Sequence, residues 1–277
     1  MLAEWQLALP LGLAFLSLFA APLLLLVGVS FFNDDKITQP GFAQWAKFFG
    51  DPFHYKVIAD TLLLGVKTVV ATLIVGYPLA LVFIELSPKL QRVLIFIIVL
   101  PLLLSVVVRT FAWIVVLGRE GLVNVLLLKL GIISEPLRLL QTELGLVISL
   151  TQIEMPLMLL PLISVMSRLD PNLRDAAAAL GASRWRTLFT VIVPLSMPGL
   201  VAGCLLVFAS ATTAFISQTV IGGVRLIYLP LLIWQQSLVV FNWPFAAVAS
   251  LSLVVSVLTV IAALSYLGRR SSGAIHG

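Results

Sequence analysis

Between two long apolar segments, the sequence reads Arg174-Asp175-Ala176-Ala177-Ala178-Ala179-Leu180-Gly181-Ala182-Ser183. This position predicts a loop outside the membrane, while the composition is typical of a short helix. Asp170 is a suitable N-cap residue, and Pro171 fits the first helical position, where a missing N–H group is harmless. Gly181 fits the left-handed conformation that often ends a helix, and Ser183 is a good cap for a second helix. The stretch therefore predicts two short helices in sequence.

Four consecutive alanines, residues 176–179, give the first of these helices a face with almost no side chain. Such a face lets another protein backbone approach closely. An ordinary cytoplasmic hairpin of two amphipathic helices is the plainer interpretation. The spacing of alanine, glycine and proline between two membrane spans argues against it.

This spacing resembles the EAA loop of ABC importer permeases, in which Glu-Ala-Ala precedes a glycine and then a hydrophobic-x-hydrophobic-Pro motif. The corresponding residues here are Asp175-Ala176-Ala177, Gly181 and Val191-Ile192-Val193-Pro194. Asp175 stands where the family has glutamate, which keeps the charge but shortens the side chain. The resemblance implies that residues 167–192 form a cytoplasmic loop. Its coupling helix would dock on an ATP-binding subunit through Asp175, Ala176, Ala177, Gly181 and Ala182.

The composition excludes a soluble domain. Hydrophobic residues make up 61% of the chain and charged residues 10%, and the mean hydropathy is +1.14. Apolar runs of membrane-spanning length recur, so we expect an all-α membrane protein with a single transmembrane domain over residues 1–277. The net charge of +5 is best interpreted as a loop bias and not as a nucleic-acid surface.

Six apolar segments are long enough to span a bilayer. They cover approximately residues 8–31, 58–85, 93–118, 143–166, 193–215 and 244–267. A partly apolar segment at 226–240 is too interrupted to be counted with them. Six spans put both termini on one side, and the density of Lys and Arg favours the cytoplasmic side for the termini and for the loop at 167–192. Five spans with a peripheral first segment are the alternative.

Aromatic residues recur at helical spacing between the first and second predicted spans. They are Phe42, Trp45, Phe48 and Phe49. The pattern predicts a short helix that lies on the membrane surface or packs against the protein.

No motif for catalysis is present in the sequence. It contains no Gly-x-x-x-x-Gly-Lys-Ser/Thr phosphate loop and no nucleophile elbow. His54, His276 and Cys204 are too far apart in sequence to form a metal-ligand motif. We therefore expect a non-catalytic chain that binds no metal or cofactor of its own. The resemblance to ABC importer permeases implies that ATP and Mg²⁺ are used by a partner ATPase.

Polar groups at membrane depth are costly, so they are candidates for a functional site. Glu154 lies about 16 Å into the fourth predicted span, near the bilayer centre. Pro156 and Pro161 follow it and free the backbone carbonyls of Gln152 and Leu157. A carboxylate, an amide and free carbonyls would suit a passing cation.

An internal ion pair is the other interpretation of Glu154. Arg109 on the third predicted span and Lys67 on the second are its candidate partners. The two interpretations stay open at this point.

Further motifs resemble the spermidine/putrescine-type permeases from about residue 90 onward. They are Leu100-Pro101, Arg109-Thr110-Phe111-Ala112-Trp113, Gly121 with Asn124, Met155-Pro156, Leu160-Pro161, Ile221-Gly222-Gly223 and Asn242-Trp243-Pro244-Phe245. The resemblance implies the type I, or methionine-importer-like, permease fold in the bacterial inner membrane. It also implies three partners: a second homologous permease, two copies of an ATP-binding subunit and an extracytoplasmic solute-binding protein.

The resemblance implies an ATP-driven importer that works by alternating access, with a polyamine such as putrescine or spermidine as its cargo. The candidate pathway residues are Glu154, Gln152, Arg109 and Trp113. Related permeases carry opines, phosphonates or ferric iron, and Arg109 would also suit an anion. A secondary transporter is a further alternative, although it has no use for an EAA loop. A sensor or scaffold would not need Glu154 beside two prolines.

Overall fold

The structure is a computed structural model that describes residues 2–170, 172–223 and 225–273. Pro171, which the sequence predicts at a helix start, lies outside these ranges. Within them the chain is helical apart from connecting segments and one isolated antiparallel bridge between Phe32 and Pro40. This agrees with the predicted all-α class.

The α-helices follow one another along the chain with short connections. They are α1 (Leu2–Ser30), α2 (Ala43–Gly50), α3 (Pro52–Glu85), α4 (Pro88–Val99), α5 (Val106–Leu117), α6 (Leu122–Lys129), α7 (Glu143–Met166), α8 (Asn172–Ala179), α9 (Arg184–Thr187), α10 (Val193–Thr212), α11 (Phe215–Gly222), α12 (Leu229–Trp234) and α13 (Trp243–Gly273).

Six helical stretches in the described residues are long and apolar enough to cross a membrane, which confirms the predicted number. They are Gly12–Ser30, Pro52–Glu85, Val106–Lys129, Glu143–Met166, Arg184–Thr212 and Trp243–Tyr266. The apolar helix Leu229–Val239 is shorter than these, as its interrupted sequence suggests.

The third predicted span, 93–118, is wrong as a single helix. Helix α4 ends at Val99, a 3₁₀ turn follows at Leu100–Leu103, and α5 begins only at Val106. Pro101 lacks the N–H group that a continuous helix needs, and its ring would clash with a carbonyl of the preceding turn. The candidate membrane span instead begins at Val106 and includes α6, which lies outside the predicted spans.

The helices form two compact units. One comprises Met1–Ala59 with Ile227–Ser256, and the other comprises Asp60–Leu226 with Val257–Gly277. In the first unit, the predicted short helix is present as α2. It buries Phe48, whose ring stacks on His54, and leaves Phe42 exposed.

In the second unit, α7 and α10 pack closely because two glycines of α10 face α7. A Cβ atom on Gly203 would meet the carbonyl oxygen of Met158 at 3.0 Å, and one on Gly199 would meet that of Pro161 at 2.8 Å. The glycines are four residues apart, so they lie on the same face of α10. Such small-residue faces allow helix backbones to approach in membranes. This contact sets the register between α7 and α10.

Helices α9 and α10 belong to one continuous helix, Arg184–Thr212, of 29 residues. It is about 43 Å long at 1.5 Å per residue. Its start is capped by Ser183, whose Oγ accepts a hydrogen bond from the Arg186 N–H at 3.3 Å, as the sequence predicts. A π-helical turn at Leu188–Ile192 comes just before Pro194 and accommodates the missing proline N–H.

Candidate functional site

Glu154 is a buried carboxylate in the middle of α7. It lies eleven residues after Glu143 in a helix of 24 residues, and its relative exposure is 4%. Its polar neighbours come from two other helices: the Ser210 hydroxyl on α10 and the Arg109 guanidinium on α5. Because a buried carboxylate is costly without compensation, these two groups stabilise its charge.

Two side chains on one face of α5 reach α7 beside Glu154. Arg109 Nη1 donates a hydrogen bond to the Ile153 carbonyl at 3.4 Å. Trp113 Nε1 donates one to Gln152 Oε1 at 3.0 Å. Arg109 and Trp113 are four residues apart, so they lie on the same side of α5. The four residues predicted for the pathway therefore all lie where α5 contacts α7.

A cavity of about 430 Å³ adjoins Glu154. Glu154 and Arg109 line it, together with the hydroxyl-bearing residues Ser210, Thr213 and Ser217. Small-molecule sites typically have volumes of roughly 300–1,000 Å³. The cavity therefore has the size and the polar groups to hold a small charged solute.

Gln152 faces a different cavity. With Met155 and Pro156 it lines an apolar space of about 330 Å³. Residues two apart on a helix point about 200° apart around its axis. The structure therefore does not bring the Gln152 amide and the Glu154 carboxylate into one cavity, although both lie at the same depth.

Of the two candidate ion-pair partners, only Arg109 lies near Glu154, since both line the same cavity and their charges attract each other. Lys67 on α3 instead pairs with Glu143, at the start of α7, with an Nζ–Oε1 distance of 2.6 Å. Both side chains of this pair are almost half exposed. The interpretation of Lys67 as the partner of Glu154 is therefore wrong, because Lys67 meets α7 about three turns away.

The sequence did not predict the half-helix α11, which follows the fifth predicted span, 193–215, beside Glu154. Helix α10 ends at Thr212 and α11 begins at Phe215, and the linking residues Thr213 and Ala214 line the Glu154 cavity. Thr213 is thus one of the missed site residues, with Ser210, Ser217 and Gln218. Their polarity inside an apolar stretch was the signal that could have identified them.

Gln218 and Ser217 hold the two sides of this break. Gln218 is buried, and its Nε2 donates to the carbonyls of Ala211 at 2.9 Å and Thr212 at 3.3 Å. These carbonyls are at the end of α10, where helical N–H partners run out, and the Ala211 carbonyl also accepts a long hydrogen bond from the Ala214 N–H at 3.5 Å. The hydroxyl groups of Ser217 and Thr110 lie 3.1 Å apart, which joins α11 to α5.

The predicted loop at 167–192 contains helix α8, which ends as the sequence predicts. Gly181 has a φ of +78°. The Ala182 N–H donates to the Ala177 carbonyl at 3.0 Å, and the Gly181 N–H donates to the Ala178 carbonyl at 2.9 Å. This pair of bonds is the Schellman motif, which fixes the end of the helix.

Helix α8 presents most of the predicted coupling residues to solvent. Asp175, Ala176 and Gly181 are exposed, Ala182 is half-buried and Ala177 is buried. The neighbouring Leu180 is 89% exposed. This end of the helix is therefore open to contact by another protein.

Comparison with known proteins identifies the family. Residues 69–272 match the family described as the binding-protein-dependent transport system inner membrane component. The chain belongs to this family. The match includes α5, α7, α8 and α10, and thus every candidate site residue.

Individual relatives of this transport permease agree with the family. It is 35% identical over 239 residues to the spermidine/putrescine transport system permease protein PotB of Haemophilus influenzae, covering 84% of this chain and 83% of the relative. It is 34% identical over 205 residues to PotB of Escherichia coli, covering 74% of each chain.

A solved structure confirms the predicted permease fold. The permease superposes with a TM-score of 0.77 on a chain of a bacterial ABC transporter that imports the acidic polysaccharide alginate. The two chains are 19% identical, and the match covers 97% of this chain and 95% of the other. The permease is therefore a multi-pass membrane protein of the ABC importer fold.

Proposed function

We propose that this permease is the transmembrane subunit of an ATP-driven importer of polyamines such as putrescine and spermidine, and that it forms half of the translocation pathway. The main evidence for a polyamine cargo is the similarity to PotB over most of both chains. The buried Glu154 carboxylate supports it, because a carboxylate attracts and hydrogen-bonds ammonium groups.

The partners in this proposal are a second homologous permease, two copies of an ATP-binding subunit and an extracytoplasmic solute-binding protein. The family description supports a binding protein, and one similar solved structure is an alginate transporter with a substrate-bound periplasmic protein. The ATP-binding subunits use ATP and Mg²⁺. This chain is then non-catalytic and carries no cofactor.

Residues 167–192 form the cytoplasmic coupling loop in this proposal, and residues 1–277 act as one transmembrane permease domain in the bacterial inner membrane. Both termini then lie in the cytoplasm. The contact with the ATPase is made by Asp175, Ala176, Ala177, Gly181 and Ala182, with Leu180 beside them. The exposure of α8 and its rigid Schellman end support this role.

The connection between the loop and the cavity supports alternating access in this proposal. The helix Arg184–Thr212 begins at the loop and carries Ser210 at the Glu154 cavity. Movement of the docked ATPase subunits would therefore reach the cavity through one helix. Glu154 and Arg109 line the cargo pathway, and Gln152 and Trp113 support it through their hydrogen bond.

The experiment is uptake of labelled putrescine and spermidine by cells that carry the whole operon, with and without this gene. We expect uptake to require the gene and to stop when the ATPase partner is inactivated. Uptake that survives ATPase inactivation would favour a secondary transporter. If the gene were required for uptake of an opine, a phosphonate or ferric iron and not of polyamines, the chain would still be an importer subunit, but its cargo would not be a polyamine.

A further inference from the structure

Arg109 is only loosely held beside Glu154. Its Nη1 makes a long hydrogen bond of 3.4 Å to the Ile153 carbonyl. Its Nε is buried and has no hydrogen-bond partner among the described residues. By comparison, Lys67 and Glu143 meet at 2.6 Å. A guanidinium carries five N–H donors, so Arg109 uses little of its hydrogen-bonding capacity here.

Arg109 nevertheless supplies the only positive charge among the residues that line the Glu154 cavity. All of these lining residues lie in the described part of the chain. With Arg109 in place, the carboxylate and the guanidinium leave the cavity without net charge. Without a cation beside it, the Glu154 carboxylate would be strongly destabilised by its apolar surroundings.

We infer that Arg109 is a tethered counter-ion, which neutralises Glu154 in the empty cavity and which an ammonium group of the cargo displaces. The inference rests on the proposed polyamine function, and it assigns this cavity to one alkylammonium end of the cargo. The Glu154 carboxylate and the Ser210 hydroxyl then accept hydrogen bonds from the ammonium group.

The displacement keeps the cavity from binding its cargo too tightly. A polyamine must break the attraction between Arg109 and Glu154 before its own ammonium group can bind the carboxylate. The cavity therefore binds the polyamine more weakly than it would if Glu154 had no counter-ion. Transport requires binding that is strong enough for entry and weak enough for release. Arg109 thus determines specificity and turnover without contacting the coupling loop.

The test measures labelled spermidine binding by equilibrium dialysis to the purified transporter complex without its binding protein. We expect Arg109→Gln to bind spermidine about tenfold more tightly than the wild type and to transport it more slowly, a difference within the range of typical coupling between sites. Arg109→Lys keeps the charge and should bind within about twofold of the wild type. The double variant Arg109→Gln with Glu154→Gln should lose this tighter binding of spermidine.

Lys67→Gln is the matched control, because it also replaces a cation paired with α7 by glutamine. Lys67 lies outside the cavity, so spermidine binding should stay within about twofold of the wild type, as expected for an exposed ion pair. If Lys67→Gln increased the affinity for spermidine as much as Arg109→Gln does, the effect would be a general effect of charge, and the inference would be overturned. Unchanged or weaker binding by Arg109→Gln would also overturn it.

If Arg109→Gln does not accumulate, Arg109→His tests the same idea within one protein. Histidine changes charge between about pH 5 and 8. As the pH rises, the affinity of Arg109→His for spermidine should increase relative to that of the wild type. If the affinities of the two proteins changed with pH in the same way, the inference would be contradicted. If wild-type cells take up no polyamine at all, the proposed function fails instead. Polyamine uptake with unchanged Arg109→Gln binding leaves that function standing and removes only the role of Arg109.

Discussion

The Ser210 hydroxyl lies beside the buried carboxylate of Glu154, and Ser210 stands on the same continuous helix whose first turn is capped by Ser183. A single helix of 29 residues therefore joins the proposed coupling loop to the polar cavity. The glycine contacts of α10 with α7 hold this helix in register with Glu154. A displacement of the loop along the helix axis would change the distance between Ser210 and Glu154.

The end of α8 provides the first prediction. Gly181→Val places a β-branched residue at a φ of +78°, with strain on the order of 1–3 kcal/mol, and displaces the exposed end of the helix. We expect uptake to be lost while the protein remains in the membrane and no longer co-purifies with the ATPase. Membrane abundance, pull-down and uptake of labelled cargo measure the three effects.

Gly131 offers a matched control for backbone strain. It has a φ of +68°, and no atom outside its chain neighbours lies within 4 Å of a Cβ placed on it. Gly131→Val should therefore bear similar strain and keep its uptake. If Gly181→Val transports normally, or if both variants fail alike, the assignment of the coupling loop to Gly181 is wrong.

The Glu154 carboxylate provides the second prediction. Glu154→Gln keeps the shape of the side chain but removes the charge that would hold an ammonium group, so polyamine uptake should fall about tenfold or more. ATPase co-purification should not change, because Glu154 is remote from α8. Glu143→Gln removes the carboxylate of an exposed ion pair and should alter uptake by less than about twofold. Uptake kinetics that Glu154→Gln leaves unchanged would remove this residue from the pathway.

The sequence was sufficient for features with strong local signals. The left-handed Gly181, the Ser183 cap and the mid-helix position of Glu154 follow from capping preferences and residue spacing, and the structure has all three. The number of spans follows from the lengths of the apolar runs. These features depend on neighbours in the chain and need no knowledge of packing.

Features that depend on packing were not predictable. An apolar run has the same composition whether its helix continues or breaks, so the break at Thr213–Ala214 had no clear periodicity signal. Pro101 was a local signal for the interruption after α4, but Pro156 and Pro161 lie within the continuous α7, so a proline alone does not decide where a helix ends. Because α7 is apolar on nearly all sides, its sequence also does not indicate which face contacts α5. The separation of Gln152 from the Glu154 cavity and the pairing of Lys67 with Glu143 therefore emerged only from the structure.

The close packing of α7 and α10 provides the third prediction. In Gly203→Ala, the new methyl group would lie 2.8 Å from Met158 Sδ and 3.0 Å from the Met158 carbonyl oxygen, so the Met158 side chain must move and the two backbones must shift slightly apart. Overpacking of this kind costs about 1–3 kcal/mol. We expect a lower thermal unfolding temperature in detergent, even though alanine favours the helix more than glycine does.

Gly28→Ala isolates the helix-propensity effect, because a Cβ on Gly28 meets no atom within 4 Å. Its unfolding temperature should equal or exceed that of the wild type. A Gly203→Ala protein that is as stable as Gly28→Ala would show that α7 and α10 do not depend on this close contact.

The break between α10 and α11 provides the last prediction. Gln218→Met keeps a side chain of similar length but removes the two hydrogen bonds to the Ala211 and Thr212 carbonyls. A buried Thr212 carbonyl left without this donor costs about 1–3 kcal/mol, and the Ala211 carbonyl keeps a long hydrogen bond of 3.5 Å from the Ala214 N–H. We expect faster hydrogen exchange of the amides of Phe215–Gly222, because α11 loses its attachment to α10.

Thr219→Val is the control for this variant, since it removes only a hydrogen bond within α11, from the Thr219 hydroxyl to the Phe215 carbonyl at 2.8 Å. Exchange in Thr219→Val should remain close to that of the wild type, and uptake should persist. Because Ser210 and Thr213 line the cavity at this break, Gln218→Met should also slow uptake. Wild-type protection of α11 in Gln218→Met would mean that the Ser217–Thr110 contact alone holds the half-helix, and that Gln218 does not maintain the break.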